Sequence, residues 1–244
     1  MRLLFAVLAM FVAVPAQAQL IEVPGRAPAP ATTDKENLWL LDLSTGGRVT
    51  ILLRPDVAPK MVERIKTLTR RKFYDGQVFH RVIEGFMAQG GDPTGTGTGN
   101  SDLPDLAKEF NYLPHVRGAV SAARPGAPEG ATKEQKDKAE NGANSQFFIM
   151  FTPRLSLDQK YTVFGRVIEG MQWVDTIERG EPPANPSRIV HAYIAADNPP
   201  AFVPAPVTAA QPGDPVSLPE TTPAPSRATP ARAAPVRRAP ARRR

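Results

Sequence analysis

The chain has no cysteine among its 244 residues. That excludes disulfides, thiolate metal sites, a cysteine nucleophile and a lipid-modified N-terminal cysteine. Histidine is nearly as scarce. There are three, His80, His115 and His191; His115 and His191 lie far apart with no Glu or Asp at ligand spacing, so no zinc site is expected. No Gly-x-Ser-x-Gly elbow is present for a serine hydrolase. Gly90 to Gly99 is rich in glycine but lacks the Gly-Lys-Ser/Thr ending of a phosphate loop and does not open a helix, so a surface turn is expected. Long apolar runs are also missing. The longest, Leu3 to Val14, is too short to cross a bilayer comfortably. It follows Arg2 and precedes the small-x-small triplet Ala16-Gln17-Ala18, the pattern of a secretory signal. Residues 1–18 are therefore expected to be removed. The mature protein is expected to lack a transmembrane segment and to be exported, to a bacterial periplasm or, as second choice, out of the cell.

The net charge of +6 is unevenly placed. Residues 19–198 carry equal numbers of basic and acidic side chains, while 199–244 hold seven arginines against Asp214 and Glu220. A nucleic-acid-binding domain normally carries its charge on a folded face, so that class is not expected here. The tail also holds twelve of the 27 prolines and almost no large apolar side chain beyond Phe202. Such a segment cannot bury enough surface to offset its ordering entropy, and disorder is expected over 199–244. Its arginines allow weak electrostatic contact with anionic envelope surfaces. Residues 19–36, rich in Ala and Pro, read as an extended lead-in, which leaves 37–196 as the folded domain.

Within that domain, Leu38–Leu43 and Arg48–Leu53 read as a hairpin around Ser44-Thr45-Gly46-Gly47. Asp56 to Arg71 reads as an amphipathic helix, with Met61, Val62, Ile65 and Leu68 at helical spacing and Pro59 in its first turn. Short strands are predicted near residues 79–83, 86–89, 116–122, 146–151, 163–168 and 188–195, and a second helix at 170–178. Many short strands with two separated helices point to an antiparallel barrel or sandwich.

The densest cluster of chemistry is Phe79-His80-Arg81-Val82-Ile83-Glu84-Gly85-Phe86-Met87-Ala88-Gln89-Gly90-Gly91-Asp92. Strand alternation would put Phe79, Arg81 and Ile83 on one face, and His80 and Val82 on the other. His80 is then expected to be a satisfied core histidine. An arginine in such an apolar run is costly to bury unpaired, so Arg81 either has a carboxylate partner or borders a cleft. Trp39 and Trp173 read as core residues.

This stretch resembles the signature of the cyclophilins. So do Asn144-Ser145-Gln146-Phe147-Phe148-Ile149 and Leu157-Asp158-Gln159-Lys160-Tyr161-Thr162-Val163-Phe164-Gly165-Arg166-Val167, in the family's order. The resemblance covers roughly residues 37–196. It implies a mainly β fold, an eight-stranded antiparallel β-barrel capped by two α-helices, with the substrate groove on its outer face. It implies a peptidyl-prolyl cis–trans isomerase that acts on proline-containing polypeptides and needs no cofactor; with the signal segment, assistance to the folding of exported proteins is expected, from a protein expected to be a monomer. The alternative is a peptide-binding or chaperone-like module with little turnover.

Carried over residue by residue, Arg81 is similar to the catalytic arginine. Phe86, Met87, Phe148 and Leu157 resemble the proline pocket. Gln89 and Gln146 match positions that orient the peptide. Ala123 and Arg124 fall where backbone groups grip it, Tyr161 where the family carries His or Tyr, and Gly97 and Thr98 in the glycine loop beside the groove. Two departures stand out. Ser156 replaces a frequent tryptophan, which implies weak cyclosporin binding with activity retained. The polar stretch 124–145 is longer than usual and either reshapes one end of the groove or is a plain surface loop.

Overall fold

The computed structural model describes residues 27–203. The expected signal, the start of the lead-in and the tail from residue 204 onward lie outside the described residues. Strands β1 (Leu38–Leu43) and β2 (Arg48–Leu53) form the predicted hairpin and are followed by helix α1 (Pro59–Arg70). Then come β3 (Arg81–Ile83), β4 (Met87–Gly90), β5 (Ala119–Ala122), helix α2 (Lys133–Glu140) and β6 (Phe147–Met150). Strand β7 (Val163–Glu169), helix α3 (Met171–Asp175) and strand β8 (Ile189–Ile194) complete the series.

All eight strands join one antiparallel sheet in the order β3-β4-β6-β5-β7-β2-β1-β8. The sheet curls until its two edges approach. The segment entering β3 is tied to β8 by a Val78–Arg188 bridge and by Gly76 N–H to Ile189 O (2.7 Å) and Ile189 N–H to Gln77 O (2.8 Å). The interior holds Trp39, Leu41, Ile51, Leu53, Val82, Ala88, Val120, Phe147, Ile149 and Phe164, all buried. Met61, Val62, Ile65 and Leu68 of α1 and Val174 of α3 pack into the same core, as their helical spacing requires. Ala58 offers α1 no side-chain cap, and the Glu109 carboxylate supplies one by accepting from Lys60 N–H (3.0 Å) and Met61 N–H (2.9 Å).

Three expectations need correction. The described residues contain three α-helices rather than two, because part of the 124–145 stretch folds as α2. Its start is a capping box: Thr132 Oγ1 accepts from Gln135 N–H and Gln135 Oε1 accepts from Thr132 N–H. Thr-x-x-Gln ahead of a run of good helix formers is a legible signal, but the helix buries only Ala139 and so shows no apolar periodicity. Lys108 holds it to the body through Asp137 and Glu140. Phe79 does not share a face with Arg81, since β3 begins only at Arg81 and Phe79 is fully buried in the core. Of the tail expected to be disordered from residue 199, only residues 199–203 are described, and they carry no regular structure. Phe202 is half-buried, with the Arg48 guanidinium 5.9 Å from its ring centroid. Finally, β3 starts two residues later than predicted, at Arg81, and β4 covers residues 87–90 rather than 86–89, with a turn at Glu84 to Phe86 between them.

Gly91, just past β4, has φ +88°, and a Cβ there would lie 2.5 Å from Ser145 O and 2.9 Å from Gln146 Cα. Backbone cannot yield as a flexible side chain would. Gly91→Ala is expected to destabilise the domain by about 2–4 kcal/mol, read as a lowered urea midpoint.

Candidate functional site

The site follows from register. Arg81 of β3 lies opposite Gln89 of β4, Gln89 opposite Phe148 of β6, and Phe148 opposite Ser121 of β5. The next row inward is Val82, Ala88, Ile149 and Val120, all in the barrel core. Alternation therefore sends the first row to the outer surface. There Met87, Ala119, Ala123, Phe148, Met150 and Val163 form a second apolar cluster, flanked by Ile83, Phe86, Leu113, Leu157 and Tyr161.

A cleft of about 260 Å³ opens over this cluster, lined by Arg81, Phe86, Met87, Gln89, Ala123, Arg124, Phe148, Leu157 and Tyr161. Its apolar wall is ordered by aromatic contacts. The Tyr161 ring meets Phe148 edge-on at 5.6 Å, and Arg154 lies 5.0 Å from the centroid of Phe86. An adjoining cleft of about 280 Å³ shares Gln89, Ala123 and Arg124 and is completed by Gly97, Thr98, Asn100, Pro125, Gly142 and Gln146. The twelve residues singled out from sequence thus line two connected hollows. Pro125 and Gly142, at the two ends of the long polar stretch, line the second. That stretch therefore does contribute to the end of the groove.

Arg81 meets both conditions posed for it. It borders the cleft, and its Nε donates to Glu181 Oε2 at 2.9 Å. The pair is not internal: the two side chains are 41% and 49% exposed. Gln89 Nε2 donates to Gln146 Oε1 (2.9 Å), and Gln146 Nε2 donates to Gly97 O (3.1 Å) and Gly99 O (2.8 Å). Ala123 N–H is already engaged by Gln146 O at 2.9 Å. The Arg124 side chain is folded back on the wall, donating to Lys160 O and Pro125 O with its guanidinium 4.6 Å from the Tyr161 centroid. Ser156 is exposed on the short turn Leu155–Leu157, so no ring stands beside Leu157 at that point.

Several supporting residues escaped sequence reasoning. Asp92 shapes the glycine loop by accepting from the amides of Thr94, Thr96, Gly97 and Gly99 (2.6–3.1 Å) and from the Thr94 hydroxyl. Burial opposes ionisation of its carboxyl, but these bonds outweigh that cost and hold it down to about 2. His115, fully buried behind the pocket, stacks on Phe148 at 6.1 Å and shares a 2.8 Å hydrogen bond between Nδ1 and Asp158 Oδ1. Burial, partly countered by Asp158, keeps its imidazole neutral further into the acid range than usual. No spacing rule links residues 115 and 158, so this pair was not legible. His80 is buried as expected but not satisfied. Neither ring nitrogen has a partner among the described residues, and the ring lies against the loop at Gly97. Among the described residues no group of three or more His, Cys, Asp or Glu side chains could hold a metal ion.

Residues 40–194 match the family model described as cyclophilin type peptidyl-prolyl cis-trans isomerase/CLD. A probable peptidyl-prolyl cis-trans isomerase of Brucella suis is 42% identical over 189 residues, spanning 71% of this chain and 90% of the relative. The mouse peptidyl-prolyl cis-trans isomerase-like 3 is 42% identical over 54% of this chain and 77% of its own length. Among solved structures, cyclophilin AquaCyp293 from Hirschia baltica superposes with a TM-score of 0.58 at 29% identity, covering 67% of this chain and 76% of that one. A Cryptosporidium parvum cyclophilin determined in the presence of the dipeptide Ala-Pro superposes at 0.56 with 26% identity, covering 64% and 98%.

Because the folded-state pKa of Asp92 is depressed, its contribution is complete above the unfolded value near 4 and is lost as pH falls through about 2. Asp92→Asn is expected to cost about 2 kcal/mol at pH 7. The gap to wild type should narrow as the pH is lowered from 4 toward 2 in parallel urea titrations. A gap independent of pH would contradict this assignment.

Proposed function

The chain belongs to the cyclophilin-type peptidyl-prolyl cis–trans isomerases, and from that premise we propose that Arg81 is its catalytic residue and that its clients are exported proteins. The observation that carries the assignment of Arg81 is the cross-strand row Arg81–Gln89–Phe148, which sets a guanidinium beside an apolar slot.

The chemistry suits that pairing. Rotation about an X-Pro bond faces a barrier of about 18–20 kcal/mol because the nitrogen lone pair is delocalised into the carbonyl. Halfway through rotation the nitrogen becomes pyramidal and its lone pair localised. A fixed guanidinium N–H then meets an acceptor that scarcely exists in either planar state. A contact made mainly in the transition state lowers the barrier rather than only tightening binding.

One charged hydrogen bond is worth roughly 1.5–3 kcal/mol, whereas a 10⁵-fold acceleration requires about 7 kcal/mol. The remainder falls to the pocket. Phe86, Met87, Phe148, Leu157 and Tyr161 hold the proline ring still while the preceding residue turns, and the apolar wall strengthens the guanidinium contact. Gln89 and Gln146 orient the peptide. Gripping by backbone groups falls to parts of Ala123 and Arg124 other than the Ala123 amide, which is occupied. Gly97 and Thr98 bound the second hollow, where neighbouring substrate residues lie. With Ser156 in place of a ring, cyclosporin sensitivity is weak.

Export rests on the first eighteen residues, whose Arg2, apolar run and Ala16-Gln17-Ala18 triplet have the form of a cleaved signal. On this reading the enzyme works in a periplasm, with its arginine-bearing tail making weak salt-sensitive contact with anionic envelope surfaces. The intact mass of the protein recovered from its native compartment is expected to correspond to a chain starting at Gln19; a chain retaining Met1 to Ala18 would refute it.

Arg81→Ala is expected to lower kcat/KM on a short X-Pro peptide by roughly 10- to 150-fold, the range one charged hydrogen bond supplies. Arg81→Lys should lose nearly as much, since an ammonium keeps the charge without the planar fork. Protease-coupled or NMR exchange assays measure both. Wild-type rates in the two variants would remove Arg81 from the mechanism and favour a binding module.

A further inference from the structure

On the side of β3 away from β4, Val82 exchanges two backbone hydrogen bonds with Gly180, both 2.8 Å. In an antiparallel bridge the residues before and after the pair also face each other, so pairing 82 with 180 sets Glu181 opposite Arg81. Residue 180 has to be glycine. Its φ is +148°, and a Cβ would lie 2.5 Å from Pro183 Cα and 2.7 Å from Pro182 O. The turn is closed by a further bridge between Gly180 and Pro183. Glu181 is thus presented by a tight turn locked to the strand that carries Arg81.

We propose that Glu181 is a positioning residue for Arg81, a role that rests on the catalytic reading of that arginine. The carboxylate takes only Nε–H (2.9 Å), and among the described residues no other acceptor engages the guanidinium. Because the guanidinium is planar, fixing Nε fixes the plane that contains both terminal nitrogens, and it leaves their four N–H bonds for a rotating imide. The side chain then enters the reaction with one torsion already restrained, which reduces the ordering left for the transition state. A carboxylate also draws on the positive charge of its partner. With both groups roughly half exposed, water screens that effect and the geometric restraint dominates. An ion pair so exposed contributes little to folding, so its effect falls on rate rather than on stability.

The test compares Glu181→Ala, Glu181→Gln and Arg81→Ala in the full chain by NMR exchange on an X-Pro peptide. Glu181→Ala is expected to lower kcat about five-fold, with KM within about two-fold of wild type and an unchanged thermal midpoint. Glu181→Gln, which keeps an acceptor oxygen for Nε–H, should retain at least about half of the wild-type kcat. The Arg81 Nε–H resonance should shift in Glu181→Ala. In the Arg81→Ala background, Glu181→Ala should have no further effect. If Arg81→Ala itself retained wild-type activity, the catalytic reading would fall and this role with it. If Arg81→Ala were slow while Glu181→Ala kept the wild-type kcat or exceeded it, only the positioning role would fall. Glu181→Gln as slow as Glu181→Ala would overturn it too, because charge and not bond geometry would then be at work.

Discussion

Antiparallel pairing of β3, β4, β6 and β5 sends alternate side chains to opposite sides of a curled sheet, and both the core and the cleft depend on it. Val82, Ala88, Ile149 and Val120 fill the interior while Arg81, Gln89 and Phe148 form the next row on the outside. A slip of one residue would exchange the two rows, burying a guanidinium and exposing the core. The stability of the barrel and the placement of the reacting group are therefore one constraint. Such a site needs no mobile element to assemble it, since neighbouring strands already lie about 4.8 Å apart.

Around this row the protein adds polar scaffolding that fixes the walls of the two hollows. Asp92 gathers four loop amides, Gln146 holds two carbonyls of the same loop, and Gln89 is held by Gln146. The loop carrying Gly97 and Thr98 is thereby tied to β4 and β6 rather than left to sample alternatives. His115 and Asp158 do the equivalent behind Phe148 and Leu157. The reaction makes no lasting covalent bond, so precision of placement is the main thing a protein can contribute to it.

The long polar stretch of residues 124–145 shows how an insertion can be accommodated. Its helix is short, highly charged and buries only one alanine, yet its flanks at Pro125 and Gly142 line the second hollow. Capping and ion pairs to Lys108 hold it against the body, where a helix of this length would be marginal alone.

The hairpin, α1 and the approximate positions of all eight strands were legible because each rests on local signals: two-residue alternation, helical spacing, and turns marked by glycine. α2 was not, since a helix that buries almost nothing leaves no periodic trace and its capping box is easily passed over. In the site, Arg81, Phe86, Met87, Gln89 and Phe148 stood out because contiguous motifs carry them. Even so, alternation alone misplaced Phe79 and took His80 for a satisfied histidine. Glu181 is a hundred residues from Arg81 and Asp158 is 43 from His115. By itself, then, the amino-acid order determined which segments could pair and which residue types were available for the chemistry. Only the curled sheet decided which carboxylate meets the arginine, which hollow the loop glycines bound and which histidine backs the pocket, because contacts between remote segments arise from register and curvature that no local window contains.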